Sequence, residues 1–345
     1  MKKIYYLSVV LIGLLTIVSC SKDNDTPAKE LADSYSGASL IAYNGDKTES
    51  NKCPNAAIKV TAIDNNNAKL DLQYCVSGYA SYEMEAKVIK TKSDESYTIT
   101  GTSTKSGEIS VDFSGIVTNG VLTATIKNTI LSTDIVKTWT VNASSTGTLD
   151  FINFKATTKS GKANMPNSGI ANATTDQFNE TLTTWINMIV GIGVNNTKLS
   201  MQSDGYVSFS AVSPFATGGI DYKNITRYSY DPSTKILSFE IPMSLFVKSK
   251  TTDVSTPIFY LKFKCSFENG VLTANLDETT TKMLLALIPT GTTLAGYLSQ
   301  LDNLFPAEYA FMLPILKGLI TDTANILTSD DLTSLVLGGK LAPAK

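Results

Sequence analysis

Asn119-Gly120-Val121-Leu122-Thr123-Ala124 recurs letter for letter as Asn269-Gly270-Val271-Leu272-Thr273-Ala274. The match widens to Phe113–Thr129 and Phe263–Thr279, which keep the Phe and the final Thr at an offset of 150 residues. A tight primed turn needs positive φ at both central residues, and Asn-Gly tolerates it. Apolar and polar residues alternate around the turn. The stretch is therefore read as a β-hairpin used twice, and it predicts two related β units. A binding edge shared by the two copies is the functional alternative.

Around the first copy the chain continues in short alternating runs. Ala56–Ile63 places Ile58 and Val60 on one face, and Ala68–Cys75 follows after the turn Asp64-Asn65-Asn66-Asn67. Tyr82–Val88, Tyr97–Thr100, Ile109–Phe113 and Val121–Ile126 repeat the pattern. Period-2 alternation with polar partners marks half-buried antiparallel strands. About eight strands between 34 and 142 imply a small barrel or sandwich.

A second β unit with a helix is expected over 143–276. Thr174 and Gln177 have capping-box spacing, and Phe178, Leu182, Trp185, Ile186, Ile189 and Val190 share one helical face up to Gly191 and Gly193. Gly191-Ile192-Gly193 follows a helix and lacks a third glycine, so it is not a dinucleotide loop. Lys198–Met201, Tyr206–Ala211, Ile236–Ile241 and Ile258–Phe267 read as strands. Over 277–345 a helical region packed on that unit is expected. Its helices would be Lys282–Ile288, Leu294–Leu304, Ala307–Thr321 (kinked at Pro314) and Asp330–Leu337. Ser329 would cap the last helix and Gly338-Gly339 would stop it. Phe305 to Ile320 carries only Glu308 and Lys317 as charges. It reads either as a segment buried on the sheet or as a lid, partner surface or lipid contact.

Composition narrows the chemistry. The 345 residues contain no histidine, which removes His triads and the usual zinc sites. Arg227 is the only arginine, and the formal charge is −2, so there is no footprint for nucleic acid. No nucleophile elbow, phosphate loop or paired-cysteine metal motif occurs. The Asp64–Asn67 turn lacks the glycine and distal glutamate of a calcium loop. No catalytic residue, cofactor or metal is expected, and the chain is read as a non-enzyme.

At the N-terminus, Lys2-Lys3 precede an uncharged apolar run from Ile4 to Val18, then Ser19 and Cys20. This is signal-peptide anatomy. A membrane-spanning anchor is the competing reading. Ile17-Val18-Ser19-Cys20 resembles a bacterial lipobox, which implies cleavage after residue 19 and a lipid on Cys20. Removing Lys2 and Lys3 from 29 basic side chains leaves 27 against 31 acidic, a formal −4. Residues 20–33 then form a polar tether that includes Asp23 and Asp25. Cys53 and Cys75 bracket the expected hairpin, either as a disulfide closing a ~20-residue loop, worth roughly 3 kcal/mol, or as two separate thiols. Cys265 alternates with Phe263 and Phe267 and reads as a buried apolar side chain.

The lipobox, the acidic tether and Tyr35-Ser36-Gly37 at the head of an alternating β unit resemble the calycin-like lipoproteins of Bacteroidetes, over residues 17 to 142. That resemblance implies a lipocalin-like barrel, an outer-membrane address extending to the cell surface, and small-molecule binding. It carries over no catalytic residue. Tyr79, Tyr82, Trp139 and Trp185 are the aromatic side chains that a hydrophobic or sugar-like ligand would meet, or else core residues. The expected partners are the membrane, through Cys20, and an apolar or amphipathic small molecule. The alternative is a structural module that docks on an envelope protein through its C-terminal helices.

Overall fold

The computed structural model describes residues 26–91, 96–141, 149–193, 197–212, 219–242, 258–304 and 313–344. The expected signal segment, Cys20 and the start of the expected tether lie outside them. The chain divides into two compact units. One takes the described residues through Cys75 with Ser81–Ser103 and Asp112–Ile126; the other takes Val76–Ala80, Thr104–Val111 and the chain from Lys127 onward.

The first sheet follows a short helix, α1 (Pro27–Leu31). It contains β1 (Ser34–Ser36), β2 (Leu40–Asn44), β3 (Ala57–Ala62), β4 (Asn67–Gln73), β5 (Ser81–Lys90), β6 (Tyr97–Lys105), β7 (Ile109–Thr118) and β8 (Val121–Ile130). The order is β1-β3-β4-β5-β6-β7-β8-β2, with β2 parallel to β8. Because β1 and β2 are separated only by the 3-10 turn Gly37–Ser39, the sheet's two edges are pieces of one broken strand. The sheet nearly closes into a barrel, which removes most of its unpaired edge. Burial follows the sequence alternation: in β5 every second residue from Tyr82 to Val88 is buried. Ile58, Leu70, Leu72, Val88, Ile99, Leu122 and Ile126 fill the interior. Asp64 makes the expected turn, accepting from the N–H groups of Asn66 and Asn67 at 2.8 Å each. Asn119 and Gly120 both have positive φ, as do Asn269 and Gly270.

The second sheet comprises β9 (Thr138–Val141), β10 (Ile152–Thr158), β11 (Lys198–Met201), β12 (Tyr206–Val212), β13 (Gly219–Asp231), β14 (Ile236–Pro242), β15 (Ile258–Glu268), β16 (Val271–Leu276) and β17 (Leu332–Pro343). The order is β10-β17-β16-β15-β14-β13-β12-β11-β9, and β17 also pairs with β9. That last pairing, Leu341 to Val141 and Pro343 to Trp139, returns the sheet to its start. The repeated hairpin joins β7 to β8 in one sheet and β15 to β16 in the other. Its two copies share one burial pattern, with Leu122 and Ala124 buried in the first and Leu272 and Ala274 in the second.

Helix α2 (Thr175–Gly193) begins on the expected capping box. The Gln177 N–H donates to Thr174 Oγ1 at 3.2 Å, and the Thr174 N–H donates to Gln177 Oε1 at 2.9 Å. Phe178 and Leu182 are buried against Phe154 and Met165, with Trp185 and Ile186 packed on that cluster.

The C-terminus departs from expectation. Among the described residues three helices form there, α3 (Glu278–Ala286), α4 (Gly291–Leu304) and α5 (Leu313–Leu327), and Asp330–Leu337 is not helical. It enters β17, which pairs with β10 on one side and β16 on the other. The open edges of those strands outweigh the local helix-start signal at Ser329, whose hydroxyl instead donates to the Ile326 carbonyl. Gly338-Gly339 lies inside the strand and stops nothing. Pro314 is the second described residue of α5, and the part of the expected Ala307–Thr321 helix before Leu313 lies outside the described residues. In α4, Leu294 is buried and Tyr297 is exposed. Phe305–Met312 lies outside the described residues. Asp322 of α5 is fully buried. It accepts from the N–H and side-chain amide of Asn167 and from the N–H and hydroxyl of Ser168.

Candidate functional site

Along β15, Leu261, Phe263, Cys265 and Phe267 occupy alternate positions and so share a face. Residues opposite in register share that face too. This adds Phe239 opposite Leu261, Leu237 opposite Phe263, Leu276 opposite Phe263, Ala274 opposite Cys265 and Leu272 opposite Phe267. Gly339 stands opposite Ala274, and Leu341 opposite Leu272. Leu199 stands opposite Phe209. All of these residues except Cys265 and Phe267 line a cavity of about 600 Å³ within the second unit. Phe239 and Phe263 meet edge to face at 5.8 Å in its wall. Leu284 of α3 and Phe151, just before β10, also line it. Among the described residues, Thr197 is the one lining residue with a polar side chain.

Further along the same face the interior is filled. Trp139 and Tyr230 lie 6.3 and 6.1 Å from Phe267, ring centre to ring centre. Trp139 has no exposed surface, and its indole N–H donates to the Ile135 carbonyl. The contrast between large aromatics there and Ala274 and Gly339 beside the cavity explains where the space lies: small residues face each other across the β16–β17 pair. A volume of this size falls within the range of roughly 300–1,000 Å³ typical of small-molecule sites.

No family model, curated protein or solved structure matches this chain. The functional reading therefore stands on the geometry of the site.

None of the four aromatic residues singled out from sequence lines this cavity. Trp139 belongs to the packed aromatic cluster. Tyr82 is a core side chain of the first unit, its hydroxyl 3.1 Å from Ser103 Oγ. Trp185 packs on the α2 core and lines a smaller apolar recess with Leu294 and Leu319. Tyr79 donates to Glu108, carries the Lys105 ammonium 4.3 Å from its ring centre, and borders a polar recess of about 440 Å³ with Asp231 and Lys262. The residues that do line the cavity carried a sequence signal, the alternation of β14, β15 and β16. Alternation alone does not separate a filled interior from an empty one.

No disulfide joins Cys53 and Cys75. The β3–β4 ladder ends at Ala57 opposite Gln73, and the Cys53 N–H bonds the Ala42 carbonyl of β2. The extrapolated hairpin that would bring the two sulfurs together does not continue that far. Among the described residues, no three His, Cys, Asp or Glu side chains cluster as a metal site, and no helix is long and apolar enough to cross a membrane.

Cys265 is buried as expected, 3% exposed, and burial pushes its thiol up to about 12 from 9.0. The folded state therefore holds this proton more tightly than the unfolded state does. Its contribution is fully present below pH 9 and is lost as pH rises towards 12. Urea unfolding between pH 8 and 11 is expected to show stability falling with pH, by up to about 1.4 kcal/mol per unit from this group. Cys265→Val should flatten that fall; equal slopes for the two proteins would show that the thiol does not contribute.

Proposed function

We propose that this protein is a non-enzymatic, lipid-anchored envelope protein that binds an apolar or amphipathic ligand inside its second β unit. The cavity of about 600 Å³ with an almost wholly apolar wall carries this reading. An apolar recess of that size takes much of a hydrophobic molecule's surface out of water. The anchor is proposed on Cys20, from the Ile17–Cys20 lipobox.

N-phenyl-1-naphthylamine, an uncharged fluorescent probe, should bind the protein and brighten. Ala274→Phe places a ring in the space between β16 and β17. It should weaken probe binding by at least about tenfold with the thermal midpoint little changed, since the cavity accommodates the added volume. Equal binding by both proteins would remove the cavity as the site. Native mass spectrometry after gentle purification should show a co-purified apolar molecule; a clean apo mass would count against the reading.

The anchor has its own test. Cys20→Ala should abolish incorporation of radiolabelled palmitate, and persistent labelling would show that the lipid sits elsewhere. The docking alternative draws on exposed Leu287, Tyr297 and Ile315 of the C-terminal helical segments. It gains ground if the wild-type protein binds no apolar probe.

A further inference from the structure

We infer that the cavity accepts only uncharged ligands: a neutral chain such as a fatty alcohol, an acyl ester or an isoprenoid, and not a free fatty-acid anion. This rests on the apolar-ligand reading above and narrows it. Strand alternation keeps charge out of the lining. Lys262 and Lys264 flank cavity-lining Leu261 and Phe263 in sequence, and Lys198 precedes Leu199. Each therefore faces the other side of its strand, and all three are exposed. Lys340, next to Leu341, is paired with Asp150 at 2.9 Å. Arg227, the only guanidinium in the chain, is bound to Glu240. Among the described residues, no acidic or basic side chain lines the cavity, and Thr197 is the only polar one.

An ionised carboxylate entering such a space loses its water and finds no cation and almost no hydrogen-bond donor. A neutral chain of the same length pays no such penalty. The sequence enforces this through spacing alone: moving a lysine by one position along β15 would place it in the wall.

Competition against N-phenyl-1-naphthylamine on the full-length protein tests the inference. Dodecanol, methyl laurate and laurate have matched chains and differ at the head. At pH 8 the alcohol and the ester should displace the probe at concentrations at least about tenfold below laurate. Lowering the pH to 5 should narrow the gap as the laurate carboxyl takes up its proton. Thr197→Lys, which brings an ammonium to the lining, should improve laurate selectively. Laurate competing as well as the neutral ligands at pH 8 would overturn the inference and leave the apolar-ligand reading intact. Failure of all three ligands to displace a bound probe would overturn it too. A wild-type protein that binds no probe would overturn both.

Discussion

Arg227→Met is expected to cost about 3–5 kcal/mol of folding free energy, the range for stranding one half of a buried ion pair. Arg227 Nε donates to Glu240 Oε2 at 2.6 Å, with the two side chains 12% and 6% exposed. The Gly78 N–H donates to the other carboxylate oxygen at 2.6 Å. The Thr226 hydroxyl donates to the Glu240 carbonyl. Burial pushes the Glu240 carboxyl up, opposed by the Arg227 charge and the Gly78 N–H. Methionine keeps most of the arginine's length and removes the charge, so burial then dominates.

The pH dependence follows in sign. Without Arg227, the folded-state pKa of Glu240 rises further above its unfolded value. The folded variant then binds this proton more tightly than the unfolded chain, and stability falls as pH rises through that pKa. Urea unfolding should therefore show a smaller loss at pH 5 than at pH 8. The double variant Arg227→Met, Glu240→Leu removes both charges and should recover most of the stability. A single-variant loss below about 1 kcal/mol at pH 8 would mean that water reaches the carboxylate and the pair behaves as an exposed one.

Much of the first sheet was legible because each of its strands buries one face. Ile58 and Val60, Leu70 and Leu72, and Tyr82 through Val88 read as alternating runs and are buried as such. The two Asn-Gly turns were legible because backbone sterics restrict positive φ to a few residue types. The capping box at Thr174 was legible for a similar local reason. β17 was not. Asp330 and Asp331 after Ser329 imitate a helix start, and the deciding fact is non-local: β10, β16 and β9 each offer this strand a ladder. β13 was also missed, because Asp221, Lys223 and Asn224 stand exposed and hide its alternation. The cavity was legible only in part. Residue spacing tells which side chains point inward, but whether they meet across the interior depends on strand number and on which small residues face one another.

Gly338→Ala should be the costliest single-methyl addition in the chain's C-terminal strand, about 3 kcal/mol or more. Gly338 lies opposite Asn275 of β16 on one side and Asn153 of β10 on the other. The Asn153 amide donates to Asn275 Oδ1 at 2.6 Å. A Cβ on Gly338 would overlap the Ala274 carbonyl oxygen and Asn275 Oδ1, and would lie 2.7 Å from Asn275 Cα. It therefore forces β16 away from β17 and disturbs the amide bridge together. Gly338 has no positive φ, so the objection is space alone. Gly120 provides the opposite control. Its φ is +75° and an added Cβ meets nothing within 4 Å, so Gly120→Ala carries only the conformational penalty of about 1–2 kcal/mol. Urea unfolding of the two variants should separate them, with Gly338→Ala the less stable. A loss at Gly338 no larger than at Gly120 would show that β16 yields easily, and that the Leu332–Pro343 strand is held less tightly than its three ladders imply.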